Sequence, residues 1–511
     1  MRYEVLVVGG GVGGLTVAAL LAARGVGVCV LERAAQAGGC AAPSAHGAYE
    51  FEPGADLYAG WGADGIHARV FGELPVAPPT VARLAPAYVV RLPDGRDVPV
   101  GGAEPEEFET TLGAAFPECA DAAVGFYREL HAAADALCEL ARHAPALAAP
   151  HALAALTRLE RMKLLARAPR SARQVFARVD ETAGAHLDGA SPRFRRFVDA
   201  QLRVFAQAQA DECAYLHAAL ALAAPRAGLH TIQGGVAALT DALAEAVTRG
   251  GGALRLNTTA LRLALDDGGR AVGVDLLSGE RVEATRAVVS NLTVWDTYGK
   301  LLGLNRTPAD ARARLRDLHG HGAYLIFAAL DERATPRLPA PRVIALTDED
   351  ETAPREATNA QHHLTTAPLV CNAAGSKRAP AGQRAVTVWT LTDAAQWFAY
   401  HEDEAEHEAQ DQTMLEACWA RLHAALPELG GDLEVIETAT PRTFYELTRR
   451  KLGQVGGAGQ GRAGTPAHVF THRTSVPNLF MVGDTVGPGA GLAAVTHGAL
   501  LVANEIAPPA R

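Results

Sequence analysis

At 511 residues the chain is too long for a single hydrophobic core, so two or three lobes are expected. Hydrophobic residues make up 49% and charged residues 20%, and a net charge of −10 argues against a nucleic-acid binder, since phosphate affinity needs a net basic face. Seven scattered cysteines, an odd number without a C-x-x-C, exclude a disulfide framework and point to reduced thiols in the cytoplasm.

The N-terminus, MRYEVLVVGG, runs straight into an apolar β-run, Val5–Val8, so no signal peptide is expected. Gly9-Gly10-Gly11-Val12-Gly13-Gly14 follows, then a helical run Leu15–Arg24 and a second β-run Val26–Leu31 ending in Glu32-Arg33. That order is a βαβ unit carrying G-x-G-x-x-G. Gly9 permits the tight turn, Gly11 lets backbone approach a pyrophosphate, and Gly14 lets helix and strand close together. The unpaired N–H groups at the helix start, around Val12 and Gly13, then face phosphate. Glu32 is placed to accept hydrogen bonds from a ribose 2′-OH and would repel a 2′-phosphate, so the ligand is FAD or NAD rather than NADP. Gly38-Gly39-Cys40 is a second small-residue turn able to run beside a phosphate.

Residues 105–225 are Ala/Leu/Arg-rich and read as mostly helical. From Arg158 to Arg178 they carry Arg158, Arg161, Lys163, Arg167, Arg170, Arg173 and Arg178 against one acid, Glu160. Leu165, Ala168, Ala172, Val175 and Val179 recur at helical spacing, although Pro169 breaks or bends the run. A basic amphipathic element on an acidic protein suits an anionic membrane surface; a solvated basic face on a helical lid is the plainer alternative. No uncharged apolar run of about 20 residues occurs outside the glycine-rich unit, so no bilayer span is expected. A cytoplasmic protein at the inner membrane face follows.

Gly234-Gly235-Val236 opens a helix over Ala237–Arg249 with Leu239, Leu243 and Val247 on one face, and Gly250–Gly252 stops it. Ala253–Asn257 and Leu261–Leu265 read as strands, Asp267-Gly268 turns a hairpin into Ala271–Leu277, and Ala287–Asn291 is a buried strand. This layout puts backbone near Ala260 beside an adenine. Residues 322–330 and 385–392 alternate as strands of an antiparallel sheet. Arg333–Arg355, rich in Pro and acids, is expected to be a mobile surface loop. Glu402–Glu408 opens a helix whose buried stripe is Met414, Cys418, Leu422 and Leu426.

Near the C-terminus the apolar strand Asn478–Val482 meets Gly483-Asp484, then Pro488-Gly489-Ala490-Gly491-Leu492 and a helix over Ala493–Ile506. A strand ending in Gly-Asp, then a glycine turn and a helix, is the form FAD enzymes use for the second half of their cofactor. Asp484 would bond the ribityl or pyrophosphate region. The N–H groups of Gly491 and Leu492 would meet the flavin N1/C2-carbonyl edge, which turns negative on reduction. FAD is thereby preferred over NAD.

These segments, with AVVSNLTVWDTYGKLLG and ATPRTFYELTRRKLGQVGG between them, occur in an order that resembles the phytoene desaturase family of flavoproteins, within the amine-oxidase-like superfamily. The branch most similar is carotenoid-isomerase-like and retinol-saturase-like, through Ser290-Asn291…Trp295–Tyr298 and Ala439–Phe444. Departures are Cys40, where relatives often carry Arg or Ser, Phe51-Glu52-Pro53-Gly54 for a Phe-Asp-x-Gly run, and Ala490 where many carry Gln. The resemblance implies an α/β fold with three parts. One is an FAD-binding Rossmann-like (GR2, amine-oxidase-like) lobe from residues 1–75, 228–300 and 465–511. The others are an α+β substrate lobe from 76–104 and 301–464, and a helical lid or membrane-facing region over 105–227.

The implied activity is oxidoreduction of a carotenoid or related isoprenoid polyene. It would proceed by desaturation with hydride transfer to flavin N5, by saturation, or by redox-neutral cis/trans isomerisation. Oxygen or a membrane quinone would accept electrons, since no second fingerprint for NAD(P)H is visible. Gly54–Trp61 would approach the isoalloxazine, making Asp56 and Tyr58 the candidate catalytic side chains; a loop packed under the flavin with Asp56 capping a turn is an equal alternative. His497 is either a channel residue or an ordinary helix histidine. An amine oxidase on the same scaffold and a non-catalytic flavin- or carotenoid-binding protein stay open. No metal site is expected: His319-Gly320-His321 and His362-His363 lack a third ligand, and His401-Glu402 lacks the second His of H-E-x-x-H.

Overall fold

The computed structural model describes residues 1–509 apart from 55, 103, 144–159, 161–162, 164–171, 319, 348–366, 375–377, 400–402 and 458–469. Val5–Val8, with no charge and three β-branched residues, forms the buried half of strand Arg2–Val8 at the heart of a seven-stranded sheet. This strand lies parallel to Val28–Leu31 on one side and to Arg281–Ser290 on the other. Ala253–Arg255 extends the sheet in parallel beyond Val28–Leu31, and Leu479–Met481 lies parallel to Val288–Ser290. The hairpin strands Ala260–Leu265 and Ala271–Leu276 continue it antiparallel. Chain segments hundreds of residues apart therefore meet in one sheet.

Helix Val12–Ala23 has no polar face to offer water: Val12 through Ala22 are all buried. An all-apolar helix must be covered on every side. Here the sheet, helix Val236–Arg249 and helix Leu492–Ile506 enclose it.

The second sheet is also seven-stranded, in the order Leu433–Ala439, Gly322–Asp331, Gln383–Thr392, Leu369–Asn372, Arg342–Ala345, Tyr88–Arg91, Asp97–Val100. All pairs are antiparallel except Arg342–Ala345 with Tyr88–Arg91. Strand Gly322–Asp331 is buried on both faces by the period-two alternation of its side chains. Tyr324, Ile326 and Leu330 pack with Met414, Cys418 and Leu422 of helix Glu404–Ala425. Ala323, Leu325 and Phe327 pack with Phe51 and Phe444 instead.

Arg342–Ala345 corrects the loop expected over Arg333–Arg355. Its four residues are buried between two strands, because Val-Ile-Ala supplies an apolar run too short to stand out from the flanking prolines and acids. The helices Pro105–Ala115, Ala120–His143, Pro192–Ala206 and Tyr215–Ala227 share a core with Tyr88, Val90, Val98, Val100, Ile344 and Val370, so they form a layer on the second sheet. A buried amide joins that layer: Gln201 accepts from the Tyr88 hydroxyl at 2.9 Å and lies 3.0 Å from that of Tyr127.

Most of the basic run over Arg158–Arg178 lies outside the described residues. Lys163 is exposed. Arg178 instead turns to the Tyr215 hydroxyl at 2.8 Å and the Glu129 carboxylate at 3.0 Å. No helix among the described residues is long and apolar enough to cross a membrane.

Candidate functional site

Three turns from distant parts of the chain converge at the C-terminal ends of the first sheet's parallel strands. The first is the glycine loop between Val8 and Val12. A Cβ on Gly14 would stand 2.2 Å from the Gly9 carbonyl oxygen, so only glycine lets the helix begin this close to the strand. The second turn, Gly38–Ala41, is pinned by the Gly38 N–H donating to the Gly10 carbonyl at 2.8 Å. The third is Gly483-Asp484 after strand Leu479–Met481. Gly483 has a φ of +117°, a backbone that L side chains avoid. A Cβ on Gly13 would lie 3.4 Å from the Gly483 nitrogen and 3.0 Å from Val495 in helix Leu492–Ile506, whose N-cap is Gly491. Gly9, Gly11, Val12, Gly13, Gly14, Gly38, Gly39, Gly483, Gly491 and Leu492 are thus brought together.

Asn291, the residue after strand Arg281–Ser290, is a member of this cluster that sequence reasoning missed. Its amide would meet a Cβ on Gly11 at 2.8 Å and one on Gly13 at 2.7 Å, and its backbone N–H donates to the Val8 carbonyl at 2.8 Å. A polar residue directly after a run of buried β residues is the signal that could have found it.

Glu32 ends strand Val28–Leu31 with its carboxylate held by two backbone donors, Gly10 N and Ala34 N, both at 2.7 Å. That fixes it beside the glycine loop with lone pairs left for further donors. The Thr258 N–H donates to the Glu32 carbonyl at 2.8 Å, tying the approach to Ala260 to the same turn. Arg33 does not join them: it is exposed and its guanidinium donates to the Leu447 carbonyl.

Asp484 does not present a bare carboxylate. Arg450 donates to it twice, at 2.8 and 3.2 Å. Burial disfavours the Arg450 charge, but Asp484 beside it holds the guanidinium above its ordinary pKa. Cys40 lies near both; burial pushes its thiol up while Arg450 pulls it down.

Phe51, which closes the hairpin Ser44–His46 and Tyr49–Phe51, packs against the second sheet. The loop after it reaches the start of helix Leu492–Ile506, where a Cβ on Gly60 would stand 3.0 Å from the Ala493 Cβ. Asp56 is fully buried with a φ of +52°. Its carboxylate pairs with Arg342 and accepts from the Thr231 hydroxyl at 2.5 Å. Burial raises the Asp56 pKa, with Arg342 opposing. Tyr58 pairs with His230 through backbone bonds at 2.9 Å, and its hydroxyl donates to Glu52. Burial, then Glu52, raises the phenol well above its ordinary value. Both side chains are therefore already held by partners. His497 sits half-buried in helix Leu492–Ile506, lowered by burial and then by Arg69.

Beneath the same loop, His67 stacks on Trp61 with ring centroids 4.3 Å apart. Burial lowers the His67 pKa from 6.5 to about 4, so it folds as neutral imidazole. Between those values the unfolded chain binds the extra proton, so stability is present above about pH 6.5 and is lost as pH falls toward 4. His67→Phe keeps the stack and is expected to flatten that loss by up to about 3 kcal/mol. Urea unfolding of both proteins across the window checks it; His131, also lowered by burial to about 4, leaves a residual slope.

Among the described residues no group of three or more His, Cys, Asp and Glu is placed to hold a metal ion. His319, His362-His363 and His401-Glu402 lie outside them.

Glycine turns gathered at the ends of parallel strands are the form of a dinucleotide-binding fold, and the chain belongs to the flavin-containing amine oxidoreductase family, whose model matches residues 12–507. It is similar to the chloroplastic prolycopene isomerase of Arabidopsis thaliana, 24% identical over 99% of this chain and 82% of that protein. It is also similar to the all-trans-retinol 13,14-reductase of Rattus norvegicus, 25% identical over 99% of this chain and 86% of that one. A shorter stretch, 15% of this chain and 14% of the other, is 40% identical to the neurosporene-forming phytoene desaturase of Rhodobacter capsulatus. Among solved structures, an oxidoreductase from Methanosarcina mazei superposes with a TM-score of 0.62 at 16% identity, covering 98% and 99% of the two chains. Putrescine oxidase bound to putrescine does so with a TM-score of 0.63 at 14% identity, covering 99% of each. The protein is a flavoenzyme of this family and its cofactor is FAD. The site fits that group: a first glycine loop in which a Cβ on Gly11, Gly13 or Gly14 would stand under 3.0 Å from a neighbour, a carboxylate pinned at a strand end, and two helix N-termini side by side.

Proposed function

We propose that the protein is an FAD-dependent oxidoreductase of a carotenoid or related isoprenoid polyene, acting by desaturation or by cis/trans isomerisation. The observation that carries this reading is end-to-end similarity, over 99% of the chain, to enzymes named for prolycopene and all-trans-retinol, both polyenes. The apolar flank of the second sheet supports it: Phe51, Leu325, Phe327 and Phe444, with Trp389 half-buried beside them, lie next to the loop that leads to Asp56. Putrescine oxidase shares the fold at 14% identity, which speaks for architecture and not for an amine substrate.

In this reading the glycine loop, with Gly38 and Gly39, cradles the pyrophosphate. Glu32 takes the ribose, backbone near Ala260 takes the adenine, and Asp484 with Gly491 and Leu492 takes the ribityl and flavin end. Bound FAD would supply a two-electron acceptor and donor, which suits desaturation, saturation and redox-neutral isomerisation alike. The protein's own work is to hold the polyene in a dry, apolar space against the cofactor. Asp56 and Tyr58, fixed by Arg342, Thr231 and Glu52, would shape the loop that borders this space.

Net desaturation needs an external oxidant, oxygen or a membrane quinone. Expression in a carotenoid-producing host, with pigment absorption and mass analysis, tests the proposal. Loss of two hydrogens with a red shift means desaturation, and unchanged mass with altered retention means isomerisation. A gain of two hydrogens means saturation, and unaltered pigments beside amine-dependent peroxide release contradict the reading. For a lipid-dissolved substrate we propose peripheral attachment through the basic run over Arg158–Arg178. Co-sedimentation with anionic but not neutral vesicles, lost in high salt, is expected; no pelleting with either contradicts it.

A further inference from the structure

Arg450 lies outside the motifs that mark a nucleotide fold, yet it stands where two of the three cofactor turns meet. Helix Pro441–Thr448 ends at Arg449, whose φ of +57° turns the chain so that Arg450 reaches Asp484, beyond the first-sheet strand Leu479–Met481. Its Nη2 donates to Asp484 Oδ2 at 2.8 Å, its Nη1 to Asp484 Oδ1 at 3.2 Å, and its Nε to the Gln454 carbonyl at 2.6 Å. The two side chains are only 15% and 21% exposed. Cys40, in the turn that leans on the glycine loop, has Arg450, Asp484 and Thr448 as its polar neighbours. A two-pronged pair this poorly solvated aims the carboxylate and cancels its charge. Left alone there, Asp484 would repel a pyrophosphate and the negative charge of a reduced flavin.

We propose that Arg450 is the positioning residue of the cofactor site: it neutralises and orients Asp484, and through it sets both the affinity for FAD and the balance between oxidised and reduced cofactor. The inference rests on the assignment of Asp484 to the cofactor cradle.

The test uses full-length apoprotein titrated with FAD, followed by the two-electron midpoint potential of the reconstituted protein. Arg450→Gln is expected to weaken FAD at least tenfold and reduced FAD a further tenfold, lowering the potential by about 30 mV. Adding Asp484→Asn to Arg450→Gln is expected to recover affinity, because the uncompensated carboxylate is gone. Folded Arg450→Gln with wild-type affinity and potential overturns the proposal, as does a double variant that binds FAD more weakly than Arg450→Gln alone. If Arg450→Gln does not fold, Asp484→Asn alone carries the test with opposite sign. Its unpaired guanidinium raises the potential, and an unchanged potential overturns the proposal. Wild-type apoprotein that takes no FAD overturns the cofactor assignment instead.

Discussion

Gly14→Ala is expected to yield a protein that purifies without flavin colour and binds added FAD about a hundredfold more weakly, a loss of roughly 2.7 kcal/mol. The new methyl would sit 2.2 Å from the Gly9 carbonyl oxygen, a backbone atom that no rotamer change can move aside. Helix Val12–Ala23 must then back away from the glycine loop, and the helix N-terminus and the Gly38–Ala41 turn lose their common geometry. Overpacking of this kind adds about 1–3 kcal/mol of destabilisation. Gly125→Ala is the control of opposite sign. Gly125 lies in helix Ala120–His143, and a methyl added there would meet nothing within 4 Å, so alanine gains roughly 0.5–1 kcal/mol of helix propensity. Flavin absorbance of the purified variants and their urea midpoints give both answers.

Arg342→Leu is expected to cost about 3–5 kcal/mol of stability, because it strands a fully buried carboxylate. Asp56 has 0% side-chain exposure and Arg342 6%; the guanidinium Nε also donates to the Asp56 carbonyl at 3.0 Å. With Arg342 gone, the Thr231 hydroxyl is too little to hold the charge, and Asp56 takes a proton. A carboxyl raised in the folded state favours folding below its unfolded value and loses that contribution as pH rises. The penalty in Arg342→Leu is therefore smallest at acidic pH and grows toward neutrality. Adding Asp56→Asn is expected to recover much of the loss at neutral pH, since the pair is removed together. Urea unfolding at two pH values decides it. Polyene turnover by the double variant separates a structural Asp56 from one that handles protons: a folded, stable and inactive double variant would give Asp56 a direct part in the reaction.

The parts of this fold that announce themselves in sequence are those whose partners are local or whose chemistry is stereotyped. Val5–Val8 is uncharged because it is covered on both faces. Gly-rich turns mark where backbone must approach backbone, and the Met414, Cys418 and Leu422 stripe follows helical period to its burial against Tyr324 and Ile326. Arg342–Ala345 was hidden because four residues between prolines and acids carry too little periodicity to outweigh their neighbours. The decisive polar partners were hidden for a different reason. Arg342 reaches Asp56 across 286 positions, and the Asn291 amide reaches Gly9 across 282. Even Arg450 and Asp484, 34 apart, meet only because Arg449 turns the chain. Pairings of that kind come from segments far apart in the chain packing together in the folded sheets and loops. No window of sequence contains them.

The account stands on three distant turns enclosing a single FAD. Flavin released by denaturing the purified wild-type protein, or taken up by its folded apoprotein, measures this directly. Stoichiometric binding, close to one FAD per chain and lost in Gly14→Ala, is the predicted result. A folded, colourless wild-type protein that takes up no added FAD would contradict it.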